Sequence, residues 1–161
     1  MTSNVEVRIN LDELDYNIIN ILICDAKRSY VDIAKELKVS SGTVFVRVKK
    51  MIDQNIIIGT RSILNYHLLG YKTTIFLNIK VNANSSAHDI ITKLIANKHV
   101  VEATLVSGEY DILCKIVAPS TQFAGNYIEN KIKPIIGIQS ITTTVALDVT
   151  RSNSLLIEQI N

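Results

Sequence analysis

Apolar residues recur every three to four positions through residues 11–57 and every second position further on, and the change of period divides the chain. Leu14, Ile18 and Ile21 form one helical stripe, so Leu11 to Cys24 reads as a first helix. Asp12 is its cap candidate with Asp15 at the third helical position, and Leu11 and Tyr16 suit a hydrophobic staple. Ile33, Ala34 and Leu37 mark a second helix, for which Ser29 and Asp32 read as a capping box. Val44, Val48 and Met51 mark a third, capped by Ser40. Lys38-Val39-Ser40 leaves about three residues for the turn between them, which is helix-turn-helix spacing. Asn55 follows the third helix, where a residue tolerant of left-handed backbone ends helices well. Ile56 to Asn65 is β-prone and reads as a linker strand.

From Tyr71 the pattern changes. Tyr71 to Val81 alternates with period two, and Ser85 to Asn97 carries a helical stripe at Ile90, Ile91, Leu94 and Ile95. Val100 to Val106 and Asp111 to Val117 read as strands around the turn Ser107-Gly108-Glu109-Tyr110. Thr121 to Lys131 reads as a helix between Pro119 and Pro134, and Gly137 to Thr150 as a last strand. The order βαββαβ is the ferredoxin-like unit: a four-stranded antiparallel sheet with both helices on one face. Its other face carries either Thr142 and Thr144 or Ile141 and Thr143, depending on register. Such a half-apolar face suits pairing with a second copy. The expected class is α+β: an N-terminal (winged) helix-turn-helix domain over 1–56, a β-strand linker over 57–66, and a ferredoxin-like domain over 67–161.

A helix-turn-helix serves mainly to place its second helix in a DNA major groove. At about 100° per residue, the face opposite Val44, Val48 and Met51 carries Gly42, Val46, Lys49 and Asp53, with Thr43 and Lys50 beside them. Lys49 and Lys50 suit phosphates, Gly42 permits close approach, and Val46 suits a thymine methyl. The first turn, with Ser40 and Ser41, projects backbone N–H groups toward an anion. Arg47 lies at the flank, placed to grip a phosphate or to pair with an acid of the neighbouring helix. An ordinary solvated lysine face on a helical hairpin fits the same periodicity.

Charge favours the DNA reading. The whole 161-residue chain carries only +2. Residues 26–61, however, hold eight Lys or Arg against three acids, a local +5. That concentration is what phosphate contacts need.

Composition removes other classes. Hydrophobic content of 47% with 20% charge is that of a folded chain. The N-terminus lacks the apolar core of a secretory signal, and no run approaches the length of a membrane span, so a cytoplasmic protein without a membrane partner is expected. Cys24 and Cys114 form no CxxC and read as buried small hydrophobes in a reducing compartment. His67, His88 and His99 share no metal-ligand spacing. Phosphate-loop, nucleophile-elbow and dinucleotide motifs are missing, so neither cofactor nor metal nor catalysis is expected.

The segments LDELDYNIINIL, DIAKELKVSSGTVFVRVKKM, IIIGTRSILNYHLLGY, VEATLVSGEYDILCKIV and PIIGIQSITTTVAL, in this order, resemble the Lrp/AsnC (feast/famine) transcriptional regulators over roughly Leu11 to Val149. The resemblance implies dimers built through the sheet domain, often joined into octamers, DNA bending or wrapping, and amino acids as effectors. Ser40 matches the capping serine of the recognition helix, Arg47 an arginine of that helix, Gly70 the glycine before the first sheet strand and Gly137 the glycine before the last. Gly108, Tyr110 and Asp111 match a G-x-Y-D turn near the effector pocket, which extends the candidate site to Ser107 and Glu109. Asn55 and Ile136 depart from the family's usual Gly and Pro.

Each effector residue also has a structural role open to it. Gly108 can simply make the turn, Tyr110 can pack, and Asp111 can cap its own turn. A free amino acid needs an anion for its ammonium and N–H donors for its carboxylate, and Asp111 with the 107–110 backbone could supply both. Three functions are therefore open: an amino-acid-sensing transcription regulator, an effector-independent architectural DNA-binding protein, and an enzyme or enzyme-regulating sensor that uses a ferredoxin-like module.

Overall fold

A computed structural model of the chain describes residues 10–147 and Ile157. These residues form two units, one of residues 10–62 with Ile157 and one of residues 63–147.

The first unit holds α1 (Glu13–Cys24), α2 (Tyr30–Leu37) and α3 (Ser41–Asp53). Asp12 and Asp15 form the expected capping box, each side chain accepting from the other's backbone N–H. Ser29 caps α2 by accepting from Asp32 N–H, but the return contact differs: the Asp32 carboxylate accepts from the Ser29 hydroxyl at 2.6 Å rather than from its backbone. Lys38 takes the left-handed conformation that turns the chain (φ 56°), and Ser40 caps α3 by accepting from Thr43 N–H at 3.0 Å. Asn55 is left-handed as expected (φ 56°). Ile18, Ile19, Ile33, Ala34, Val44, Val48 and Met51 form the core. The stripe of α1 is rotated from expectation. Asp15, Ile18 and Ile19 are buried, while Leu14 and Ile21 are only partly so. The rotation follows from Asp15, which turns inward to meet Arg47 of α3. Cys24 corrects a second expectation: it ends α1 off the core face and is exposed.

Ile157 was expected to belong with the sheet domain. It packs instead against the three-helix core. The Asn20 amide donates to its carbonyl at 2.9 Å and accepts from its N–H at 2.7 Å.

The second unit runs β1 (Thr73–Val81), α4 (Ala87–Ile95), β2 (Val100–Leu105), β3 (Ile112–Ala118), α5 (Thr121–Tyr127), a π-helical segment (Ile128–Ile132) and β4 (Ile138–Val145). The antiparallel strand order β2-β3-β1-β4 is that of the ferredoxin-like unit. Ile75, Leu77, Ile79, Ile112, Cys114 and Ile116 face Ile90 and Leu94 of α4 and Ala124, Ile128 and Ile132. Burial pushes the Cys114 thiol up to about 12, so it stays protonated. The expected single helix over 121–131 is in fact α5 followed by the π-helical turn, closed by Lys133 N–H to the Ile128 carbonyl. Ile128 and Ile132, four positions apart, are both buried in the core.

Register settles the open face. Phe76 lies opposite Thr144, Asn78 opposite Thr142 and Lys80 opposite Ser140, so Thr142 and Thr144 lie on it. Ile141 and Thr143 lie opposite Ile79 and Leu77, on the helix side.

Residues 57–66 contain no strand. Ile58, Ile63 and Leu68 lie 81–90% exposed. The segment is β-prone, but a strand needs a ladder partner for its N–H and C=O groups, and no other segment of the described chain pairs with it.

Candidate DNA interface and effector turn

The α3 surface is built by its cap and its core. Ser40 starts the helix, and Val44, Val48 and Met51 bury one side. Ser41, Gly42, Val46, Lys49 and Lys50 are exposed and Thr43 is half-buried, as the 100° spacing requires. The first turn holds no acid, so its free N–H groups face solvent with no competing carboxylate in that turn. The Thr43 hydroxyl lies 2.9 Å from the Ser40 hydroxyl and closes the cap. Phe45 went unnoticed in the sequence because it falls between the stripe and the opposite face. It is half-exposed, with its ring tilted against Tyr30 at 6.3 Å.

Arg47 resolves its two readings in favour of the acid. Its guanidinium donates to Asp12 and, at 3.0 Å, to Asp15. The hydrogen bond from Arg47 holds the Asp12 carboxyl below its ordinary value, and the two acids raise that of Arg47. Of the eight candidate DNA-binding residues, Arg47 is thus committed to fixing α3 against the start of α1. The sign of its neighbours was visible in the sequence; the distance was not.

The turn at 107–111 also has internal roles. Gly108 takes φ 129°, a conformation that favours glycine, with open space beside it. Ser107 and Glu109 are exposed. The Tyr110 hydroxyl reaches 3.5 Å from that of Thr142. Asp111 was expected to be available to a ligand. One of its oxygens accepts from Val81 N–H at 2.7 Å, where the β1–β4 register shifts, and the other lies 3.5 Å from the Lys80 ammonium. Lys80 also donates to the Glu109 carbonyl at 2.8 Å. Lys80 was missed, although period-two alternation places it on the open face. Among the described residues, the backbone N–H groups of Ser107, Gly108, Glu109 and Tyr110 have no backbone acceptor. The turn therefore offers free donors, a cation and a carboxylate that already has partners.

No described helix is long and apolar enough to cross a membrane, and the described residues hold no cluster of three metal-ligating side chains.

Residues 11–58 match the winged helix-turn-helix DNA-binding model, and residues 74–156 match the Lrp/AsnC ligand binding domain. The regulatory protein AsnC of Haemophilus influenzae is 35% identical over 138 residues, 86% of this chain and 92% of that protein. An uncharacterized HTH-type transcriptional regulator of Pyrococcus furiosus is 34% identical over 146 residues, 90% of this chain and 97% of that protein. A structure of E. coli AsnC superposes with a TM-score of 0.82 at 30% identity, over 92% of this chain and all of that one. A transcriptional regulator of Neisseria meningitidis, solved as an L-Met complex, shares the fold with a TM-score of 0.82 at 15% identity, over 90% of this chain and 95% of that one. A DNA-binding helix-turn-helix followed by a ligand-binding sheet domain, matched along nearly the whole chain, makes this protein a member of the Lrp/AsnC family of transcriptional regulators.

Proposed function

We propose that the chain binds duplex DNA in a sequence-dependent way through α3, assembles as a homodimer or larger, and couples DNA affinity to a small amino-acid-like effector. The carrying observation is the exposed α3 surface, where Lys49 and Lys50 stand opposite a buried stripe behind an acid-free first turn. Phosphates are the natural counterpart of that surface. Lys49→Glu with Lys50→Glu should abolish binding while leaving the far-UV spectrum and oligomer size intact. Retained affinity in a low-salt mobility-shift assay would contradict the reading.

Assembly is supported by apolar surface that one copy leaves in water. Ile58 and Ile63 lie in the linker and Leu68 just after it, and exposed Leu113 and half-buried Phe76 lie on the open sheet face. A second copy would cover them, give residues 57–66 a strand partner, and present two recognition helices to two half-sites. Light scattering should show at least a dimer at micromolar concentration, and a monomer there would reject this part. An octamer is the largest assembly anticipated.

The effector reading rests on residues 107–111. Free N–H groups suit a carboxylate, and a ligand ammonium would compete with Lys80 for the Asp111 oxygen. The Neisseria relative's L-Met complex supports an amino acid as the class. Asp111→Asn should weaken the ligand response and leave ligand-free DNA binding near normal. If no common amino acid at millimolar concentration shifts melting temperature, oligomer size or DNA affinity, the protein is the effector-independent architectural binder instead.

A further inference from the structure

We infer that the protein selects its DNA mainly by apolar contact with major-groove methyl groups, those of thymine above all, and that Val46 and Phe45 are the specificity-determining residues. The inference rests on the DNA-binding role proposed for α3 and adds what that helix reads.

The argument is one of elimination on the helix surface. Base pairs are distinguished in the major groove by hydrogen bonds, chiefly from Arg, Lys, Asn and Gln and less selectively from Ser and Thr, or by contact with the thymine methyl. Recognition helices present the residues of their N-terminal part to the base edges. From Ser41 to Lys50 there is no Asn and no Gln. The only Arg is Arg47, and its guanidinium is held by Asp12 and Asp15. The Thr43 hydroxyl is engaged with Ser40. Gly42 has no side chain to read with, and the exposed Ser41 hydroxyl can bond to either kind of base and so discriminates little.

What projects from the second turn is Phe45, 53% exposed, and Val46, 63% exposed. Lys49 and Lys50 lie a turn further along, where long flexible ammonium groups suit phosphates. Phe45 is not loose: its ring leans on Tyr30 at the start of α2, with 6.3 Å between centroids and 57° between planes. A propped aromatic and a β-branched residue lose little side-chain freedom on binding. Between them they form an apolar step next to Lys49 and Lys50. The only apolar group that unmodified base pairs offer in the major groove is the thymine methyl; 5-methylcytosine places the same group at the same ring position.

The test measures the affinity of the full chain, at one fixed salt concentration, for four alternating duplexes: dA·dT, dA·dU, dG·dC and dG with 5-methyl-dC. Removing the methyls from the A·T duplex should weaken binding about fourfold for each methyl contacted. Adding methyls to the G·C duplex should strengthen binding in the same proportion. Val46→Ala and Phe45→Ala, each checked by melting temperature, should bring the dT-to-dU ratio toward one while leaving the salt dependence in place. Equal binding of the dT and dU duplexes, with normal salt dependence, would overturn the methyl readout and leave DNA binding standing. Discrimination that persists in both alanine variants would overturn the assignment to these residues. Failure to bind any of the four duplexes at low salt would overturn the DNA-binding role and this inference with it.

Discussion

Arg47 of the recognition helix donates to the buried carboxylate of Asp15 on the first helix at 3.0 Å, and Asp15 keeps its other oxygen without a partner. The pair joins α3, the helix proposed to meet DNA, to the start of α1. Because Asp15 is nearly inaccessible, removing the arginine strands a charge. Arg47→Ala should cost about 3 kcal/mol in denaturant unfolding of the first unit. Asp15→Asn strands no anion and should cost less. If Arg47→Ala melts like the wild type, the pair does not hold the domain.

The same network sets an acid limit. The Arg47 hydrogen bond lowers the Asp12 carboxyl below 3.8 in the folded chain. A depressed carboxyl contributes stability that is present above its unfolded value and is lost as pH falls through the folded one. The first unit should therefore lose stability below about pH 4. Asp12→Asn should remove part of that pH dependence and lower the stability at neutral pH by the same part. An unchanged acid limb in Asp12→Asn would assign the loss to other groups.

Gly137 and Gly108 make a contrast within one domain. Gly137 takes φ 104°, and an added Cβ would lie 2.9 Å from Ile90 Cδ1 and from Ser85. Gly108 takes φ 129° beside open space. Alanine at either site pays backbone strain of about 1–3 kcal/mol. Only Gly137→Ala adds a clash behind β4, so its melting temperature should fall further. Equal losses would show that the contact with α4 relaxes freely.

Asn20 ties Ile157 to the first unit through both backbone groups of that residue. Asn20→Ala should cost about 1 kcal/mol. It should also speed hydrogen exchange at the Ile157 amide. Exchange that is already fast in the wild type would mean that the tie does not persist in solution.

Much of this structure could be read from the chain because it rests on local rules. Ser29, Ser40 and Asp12 cap where their side chains can reach a third-position N–H, and the alternation in β1 follows from burial of one sheet face. The departures come from partners distant in sequence. The rotation of α1 depends on Arg47, 32 positions from Asp15. The linker was read as a strand from propensity, but a ladder needs a second strand. The π-helical turn left no mark in the apolar spacing, because Ile128 and Ile132 stand four positions apart, as they would on one face of an α-helix. The effector turn was legible as a turn, but not the commitment of Asp111 to Val81 and Lys80, which follows from the register shift in β1.

The central claim is that α3 meets DNA through its lysines, and the slope of log affinity against log salt tests it most directly. Each phosphate contact contributes about −0.9 to that slope. Lys49→Ala and Lys50→Ala should each make the slope shallower by about one for every recognition helix engaged. Binding that is independent of salt, or a slope unchanged by both substitutions, would contradict the account.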